Sequence, residues 1–83
     1  MEKNLWFVYI LECCDGSFYT GVTNDIDKRM KAHASGNGSR YVYKKGFRKL
    51  LFAKPCESKS EACKREYQIK QLPRNKKLDY FRF

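Results

Sequence analysis

Five polar side chains are spaced so that one small fold can gather them around a substrate. Tyr9 and Tyr19 lie in runs of strand-forming residues, Arg29 and His33 are one helical turn apart, and Glu66 lies in a later helical segment. A carboxylate can hold one hard cation that keeps most of its waters. An arginine can clamp a phosphate, and a phenol or imidazole can transfer protons. This set is suited to cleaving a phosphodiester.

Each of these residues also has a purely structural explanation. Strands are rich in tyrosine, so both rings can be ordinary packed side chains. Arg29 can extend to solvent, His33 can make a structural hydrogen bond, and Glu66 can pair with Lys70 four residues on. The helical phase favours a site, because it turns Arg29 and His33 to the core-facing edge and Glu66 into an apolar arc. An unpartnered charge there is costly.

The stretch from Trp6 to Val22 is predicted to form the hairpin that carries both tyrosines. Strand formers precede and follow Asp15-Gly16, a strong hairpin signal. The first strand is apolar on both faces, which is typical of the middle strand of a sheet. Residues Phe47 to Lys54 are predicted to be a third strand, which pairs with the first and is stopped by Pro55.

The length of the hairpin loop decides where the tyrosines point. A two-residue loop puts Tyr9 and Tyr19 on opposite faces of the sheet. A three-residue loop that closes on a glycine bulge sets Tyr9 opposite Gly21 and Tyr19 opposite Leu11, so that both tyrosines share a face. We favour the three-residue loop, in which the glycine has no side chain to block access.

Two helices are predicted to carry the other candidates. The first is capped by Asn24 or Asp25 and ends near Ser35, and the second opens with a capping box at Ser58 and runs to about Leu72. The predicted apolar stripe of the first helix has three members: Ile26, Met30 and Ala34. Between this helix and the third strand lies a glycine-rich loop with a short helical turn near Tyr41, and a short basic helix follows Pro73.

Composition favours one small domain over residues 1–83 with a polyanionic partner. Eighteen Lys and Arg against nine Asp and Glu give a net charge of +9, which favours nucleic acid first and an acidic membrane second. No apolar run is long enough for a membrane span, and we expect a cytoplasmic protein with four free cysteines. Seven residues are predicted to contact nucleic acid: Arg40, Tyr41, Lys44, Lys45, Lys70, Arg74 and Lys77.

The ordered set of motifs resembles the GIY-YIG nuclease domain family, and most of all its small stand-alone bacterial members, the YhbQ-like group. The resemblance covers nearly the whole chain. Its motifs stand here as Val8-Tyr9-Ile10, Tyr19-Thr20-Gly21, Arg29-Met30-Lys31-Ala32-His33 and Arg65-Glu66-Tyr67-Gln68-Ile69-Lys70. The first and second motifs depart from Gly-Ile-Tyr and Tyr-Ile-Gly, but both keep the tyrosine. The family often adds an asparagine on a later element, for which Asn75 is the candidate.

The resemblance implies an α+β fold, a three-stranded antiparallel sheet flanked by helices, and a catalytic set. Tyr9 would be the general base or would order the attacking water, and Tyr19 would contact the phosphate or its waters. Arg29 would stabilise the phosphate, His33 would assist proton transfer or positioning, and Glu66 would bind a single Mg²⁺ or Mn²⁺. Tyr9 as a base would need positive charges to lower its pKa, which is near 10 for a free phenol.

Three functions agree with these observations. The first is a metal-dependent nuclease acting on DNA or RNA, with a protein partner that supplies targeting, since the chain carries no targeting domain of its own. The second is a non-catalytic nucleic-acid binding module on the same scaffold. The third is a protein-interaction subunit, whose binding would be insensitive to salt, whereas phosphate contacts weaken steeply as salt rises.

Overall fold

A computed structural model describes residues 5–81, with only the backbone described at residue 81. Its strands are β1 (Trp6–Cys13), β2 (Phe18–Thr23) and β3 (Phe47–Cys56). They form one antiparallel sheet in the order β2-β1-β3. Strand β1 is central, with Val8, Tyr9, Ile10 and Leu11 all buried. The apolar faces of this strand therefore predicted its place correctly.

The register of the hairpin confirms the three-residue loop. Tyr9 pairs with Gly21 and Leu11 pairs with Tyr19. The loop closes on Gly16, which has a φ of 86° and whose N–H donates to the carbonyl of Cys13 at 2.9 Å. A left-handed residue at this position is what glycine provides without steric cost. Tyr9 and Tyr19 consequently point to the same face of the sheet.

Four helices and one 3-10 helix complete the described chain. They are α1 (Ile26–Ala34), α2 (Arg40–Lys45), α3 (Lys59–Lys70), α4 (Arg74–Lys77) and the 3-10 helix Leu78–Phe81. Asp25 caps α1 by accepting from the N–H of Lys28, and Ser58 caps α3 by accepting from the N–H of Glu61. These caps hold helix starts that the sequence predicted. Within residues 5–81, no helix has both the length and the apolar character that a membrane crossing requires.

The helices cover the two faces of the sheet with different partners. One face, called here the α3 face, has a core of Val8, Cys56, Ala62 and Ile69. The opposite face, called here the α1 face, is covered by α1 and α2. Its core combines residues of β1 and α2: Tyr9, Leu11, Cys13 and Val42. Both faces of β1 are therefore closed, and the two tyrosines belong to the α1 face.

The structure corrects three details of the prediction. Strand β3 continues through Pro55 to Cys56, because β3 is an edge strand, where a missing N–H is tolerated. Ala34 is exposed at the end of α1 rather than part of its apolar stripe, and His33 takes the buried position. Helix α3 ends at Lys70, two residues before Leu72, where the prediction ended it.

Candidate active site

Tyr9 lies at the centre of the α1 face and is only 1% exposed. Its hydroxyl lies 2.9 Å from Nε2 of His33. The phenol reaches this position across Gly21: a Cβ on that glycine would lie 2.5 Å from the Tyr9 hydroxyl oxygen. The space beside Gly21 therefore holds the Tyr9 hydroxyl itself, instead of the open access that the sequence suggested.

His33 is enclosed by aromatic rings. The imidazole meets Tyr9 and Tyr19 edge-on at centroid distances of 5.9 and 5.6 Å, and it stacks on Phe47 at 6.3 Å with an interplanar angle of 18°. The residue is 3% exposed, and its Nδ1 has no hydrogen-bond partner. Buried polar side-chain atoms usually do have a partner, so a bare nitrogen here marks an unusual position.

Burial sets the protonation of this pair. Burial raises the pKa of the Tyr9 phenol above its ordinary value; the Tyr19 phenol raises it further, Arg29 opposes the change, and the Glu66 carboxylate adds to it. Burial lowers the pKa of His33, and the positive charge of Arg29 lowers it further. Both groups are therefore neutral near pH 7, with one proton on the phenol and one on the imidazole.

The unpaired Nδ1 is compatible with two arrangements of these protons. If the phenol donates to Nε2, the imidazole carries its proton on Nδ1, as a buried N–H without an acceptor. If Nε2 carries the proton and donates to the Tyr9 oxygen, Nδ1 is a bare acceptor and the phenol O–H is the donor without a protein acceptor. Each arrangement therefore leaves one donor of the pair available, and the hydrogen bond fits both tautomers.

Arg29 approaches the same region from the preceding turn of α1. It is half-buried, and its Nη1 donates to the carbonyl of Gly38 at 3.4 Å. A guanidinium has five N–H donors, so several stay available for a ligand. Arg29 also lines a cleft of about 300 Å³. Its other lining residues are Thr23, Asn24, Asp25, Lys28 and Ala32.

Glu66 comes from α3, whose buried residues Ala62 and Ile69 pack on the α3 face. Its side chain is 23% exposed, and its Oε2 pairs with Nζ of Lys70 at 3.2 Å. Its charge is the smallest of the influences that raise the pKa of Tyr9. The structure brings the other four candidates together in the α1 layer, and the meeting of Glu66 with them stays a prediction.

Predicted nucleic-acid contacts near α2 extend the row of aromatic rings to the surface. Tyr41 stacks on Tyr19 at 5.9 Å, and Nζ of Lys45 lies 5.9 Å from the centre of the Tyr41 ring while also pairing with Asp15 at 3.3 Å. Arg40, Tyr41, Tyr43 and Lys44 line a shallow groove of about 400 Å³, and all four are exposed. This groove combines cations with aromatic faces, as single-stranded binding surfaces do.

The predicted contacts near the C-terminus are engaged within the fold. Arg74 donates to the carbonyl of Gly16 at 2.6 Å and lies over the ring of Phe18 at 4.3 Å. Lys77 donates to the carbonyl of Ile69 at 2.9 Å, and burial lowers its pKa. These two cations fasten α4 to the hairpin turn and to α3, and Arg74 is still exposed. Asn75 is an exposed residue of α4.

Sequence reasoning missed two residues that complete this region. Phe47, at the start of β3, forms the stacking partner of His33, and Gly38 accepts the hydrogen bond of Arg29. The strand pattern offered no sign that the Phe47 ring faces a histidine. The glycines of the loop did signal an irregular path, but not which side chains that path would meet.

The carboxylate, imidazole and thiol groups of residues 5–81 form no group of three that could enclose a metal ion. Magnesium is often held by one or two carboxylates, retained waters and the phosphates of a substrate. A single partly exposed carboxylate, that of Glu66, fits that mode of binding. Glu66 is therefore a suitable anchor for a hydrated cation, and a closed site built from protein ligands alone is not what these residues form.

Residues 5–79 match the family model of the GIY-YIG catalytic domain, in agreement with the fold and with this set of residues. The chain belongs to the GIY-YIG family. Its relatives include the UPF0213 protein BH0048 of Halalkalibacterium halodurans, 51% identical over 71 residues that cover 86% of this chain and 76% of that protein. The UPF0213 protein YazA of Bacillus subtilis is 43% identical over 80 residues, covering 96% of this chain and 81% of that protein.

A solved structure shows the same fold. The solution NMR structure of the UPF0213 protein BH0048 from Bacillus halodurans matches with a TM-score of 0.57 and 47% sequence identity. The match covers 92% of this chain and 81% of that one. The three-stranded antiparallel sheet with flanking helices that the sequence predicted is thus confirmed.

Proposed function

We propose that this protein is a metal-dependent nuclease that hydrolyses phosphodiester bonds in nucleic acid. One observation carries the proposal above the others: the buried hydrogen bond of 2.9 Å between the hydroxyl of Tyr9 and Nε2 of His33, two groups whose pKa values are both influenced by the charge of Arg29. A buried phenol and imidazole add little to the stability of the fold beyond what an apolar pair would add. Perturbed titratable groups gathered in this way are typical of active sites.

The roles follow from the exposure of each residue. Tyr19, Arg29 and Glu66 are partly exposed and would meet the substrate, whereas Tyr9 and His33 are buried. Arg29 clamps the scissile phosphate with the N–H groups that Gly38 leaves available and stabilises the charge that develops on it. Tyr19 contacts the phosphate or its waters. His33, whose Nε2 lies 2.9 Å from the Tyr9 oxygen, would stabilise a phenolate there by donating to it when Nε2 carries the proton.

Tyr9 enters the reaction as a neutral phenol, because its pKa in the protein alone is raised. In that form it orders the attacking water by hydrogen bonding. To act as a general base and take the proton of that water, Tyr9 must first lose its own phenol proton. The positive charge of Arg29 favours this loss because it lowers the pKa of Tyr9. Bound to Glu66, Mg²⁺ or Mn²⁺ would cancel a negative charge that raises the pKa of Tyr9 and would stabilise charge on the phosphate.

Nucleic acid is the substrate class that the charge of the chain supports. The net charge of +9 attracts a polyanion. The groove on α2 continues from Tyr19 through Tyr41, so an unstacked base can rest on aromatic rings near the proposed phosphate position. A protein partner that directs the nuclease to its target is a further part of the proposal.

The test is cleavage of labelled single-stranded, duplex and branched DNA and of structured RNA. Each substrate is incubated with Mg²⁺, with Mn²⁺ and with a chelator. We expect cutting with either metal and none with the chelator, and the preferred substrate follows from the same panel. Absence of cutting on every substrate, at protein concentrations that saturate binding, would contradict the proposal.

The rival function, a binding module without catalysis, has support from the same basic and aromatic groove. Glu66→Ala separates the two. In a nuclease, this change abolishes metal-dependent cutting and leaves binding intact. In a binding module, there is no cutting to lose, and affinity stays the same or rises slightly because a negative charge has gone. Gel-shift titrations across a series of salt concentrations measure the affinity in both variants.

A further inference from the structure

Gly38 lies in the loop between α1 and α2 and touches two candidate residues at once. Its carbonyl accepts the hydrogen bond of Arg29 Nη1 at 3.4 Å. Its Cα faces the imidazole of His33: a Cβ added there would lie 2.8 Å from both Cγ and Cε1 of the ring and would also press on Nδ1. Side chains in real structures essentially never approach this closely. The unpaired Nδ1 of His33 therefore faces a loop position that carries no side chain.

The imidazole has little room to move away from a side chain at this position. His33 is 3% exposed, with the hydroxyl of Tyr9 at Nε2 and the ring of Phe47 stacked on its face. Tyr19 meets another edge of the ring. Packed interiors transmit such displacements instead of absorbing them. A methyl group at Gly38 would therefore displace the ring from its hydrogen-bonding position against Tyr9.

The backbone itself does not require glycine here. The glycines with positive φ are Gly16, Gly36 and Gly46, and Gly38 is not among them. A negative φ is the ordinary conformation of residues with a side chain, so φ does not call for glycine at this position. What the absence of a side chain at Gly38 provides is the space against His33.

We propose that Gly38 is a positioning residue of the site, which sets the imidazole of His33 against Tyr9 and holds the guanidinium of Arg29 beside it. Catalytic geometry has to be held within a fraction of an ångström, and a loop that fixes two side chains at once supplies that constraint. The role of Gly38 in holding His33 stands on the structure alone. Its effect on cleavage rests on the proposed nuclease function.

The experiment compares Gly38→Ala with the wild type by NMR of the histidine ring. His33 is the only histidine in the chain, so its ring signals need no assignment. In the wild type we expect a neutral ring whose Nε2 is hydrogen-bonded to Tyr9, with a pKa below the ordinary value for histidine. In Gly38→Ala we expect that pKa to move toward 6.5 as the ring shifts toward solvent, with loss of the signature of the Nε2 hydrogen bond. Unchanged ring signals and an unchanged titration would overturn the proposal.

The matched control is Asn37→Ala, one residue earlier in the same loop. Asn37 is exposed, and its side chain donates only to the hydroxyl of Ser35, at 3.4 Å. This control should leave the histidine signals and the cleavage rate at their wild-type values. An equal response of both variants would mean that the loop as a whole, and not the space at Gly38, determines the position of His33.

Cleavage supplies the second readout. We expect Gly38→Ala to lower kcat at least about tenfold with little change in KM, as for loss of part of an acid–base contribution. In a His33→Ala background, Gly38→Ala should cost nothing further, because the ring it displaces is gone. A full additional loss in that background would show that Gly38 acts by another route and would contradict the proposal.

Two further outcomes stay informative. If the wild type cleaves nothing, the proposed nuclease function fails, but the NMR comparison still decides how Gly38 acts on His33. If Gly38→Ala does not fold, the double variant His33→Ala/Gly38→Ala should recover folding, because the clash has been removed. Failure of the double variant to fold, when His33→Ala alone folds, would overturn the proposal.

Discussion

The two faces of β1 are equally closed to solvent and are filled with different chemistry. On the α3 face, Val8, Ala62 and Ile69 are completely buried and pack only apolar surface against one another. On the α1 face, an equally buried position holds a phenol bonded to an imidazole, and one nitrogen of that imidazole has no partner. The same strand therefore supports a conventional core on one side and a polar cluster on the other.

This difference indicates where the fold gains stability and where it gives some up. A buried polar atom without a partner costs about 1–3 kcal/mol, which an apolar side chain of similar shape would avoid. Proteins keep such costs mainly at functional sites. The α3 face offsets them by burying aliphatic side chains completely. Substitutions on the α3 face should accordingly change stability, and those on the α1 face should change activity more than stability.

The largest change in stability is expected from Ile69→Ala. Ile69 is completely buried on α3, and truncation of such a side chain costs about 2–5 kcal/mol through lost transfer energy and a cavity. Denaturant unfolding followed by circular dichroism measures the change. Ile26→Ala, at the partly buried edge of the α1 face, is the control with a smaller loss. Equal losses in both variants would remove the distinction between the two faces.

A smaller loss of stability with a larger loss of activity is expected from Tyr9→Phe. The ring stays packed, but Nε2 of His33 loses its partner, which costs about 1–3 kcal/mol. Cleavage should fall by about 10²–10⁴-fold, the usual contribution of one acid–base group. Unfolding curves and single-turnover rates are compared with those of Tyr67→Phe, an exposed tyrosine on α3 that should behave like the wild type. A folded Tyr9→Phe with full activity would remove Tyr9 from the site.

The stability of the α1 face should depend on pH through His33. Its pKa is lowered in the folded protein, so between that pKa and 6.5 the unfolded chain binds more protons. The free energy of unfolding therefore rises with pH through this window, and it falls as the pH drops below 6.5. Tyr9, the hydrogen-bond partner of His33, stays neutral over this range because its own pKa is raised by burial.

Unfolding of the wild type and of His33→Asn between pH 5 and 7.5 tests this dependence. The difference in unfolding free energy between the two should shrink as the pH is lowered. The reason is that only the wild type, when it unfolds, takes up a further proton at residue 33. Carboxylates also titrate on the acid side, but they are common to both proteins and cancel in the difference. Parallel curves would show that His33 does not titrate as an enclosed imidazole.

The smallest effect on stability is expected from Lys70→Gln. Its pair with Glu66 is an exposed i,i+4 contact, worth about 0.2–0.5 kcal/mol. If Lys70 also contacts a phosphate, the slope of log affinity against log salt should fall by about 1. Lys64→Gln is the control, because it lies six residues earlier on α3 and so on another side of the helix. Equal salt slopes in the two variants would argue against a phosphate contact at Lys70.

Much of the frame of the site could be predicted because local rules determined it. The Asp15-Gly16 turn allowed two registers, and the three-residue loop that we favoured is the one that places Tyr9 opposite Gly21. The phase of α1 turned Arg29 and His33 inward, and the structure places both in the α1 layer. In each case, a periodicity or a turn type within a short stretch of chain carried the information.

The rest depended on how separate elements meet. The phase of α3 showed that Glu66 points toward the sheet, but not which face the helix covers, and it covers the face opposite the tyrosines. The contact of Gly38 with His33 depends on the path of an irregular loop. Strand β3 passes Pro55 because of its edge position, which is a property of the assembled sheet.

The most direct test of a site shared by two layers is the cleavage rate in Mg²⁺ of the wild type, Arg29→Ala and Glu66→Ala. Arg29 belongs to the α1 layer and Glu66 to α3, and the proposed chemistry requires both. We expect metal-dependent cutting by the wild type and a loss of at least about a hundredfold in each variant, with both proteins folded. Retention of cutting by folded Glu66→Ala, or by folded Arg29→Ala, would contradict a catalytic centre assembled from both sides of the sheet.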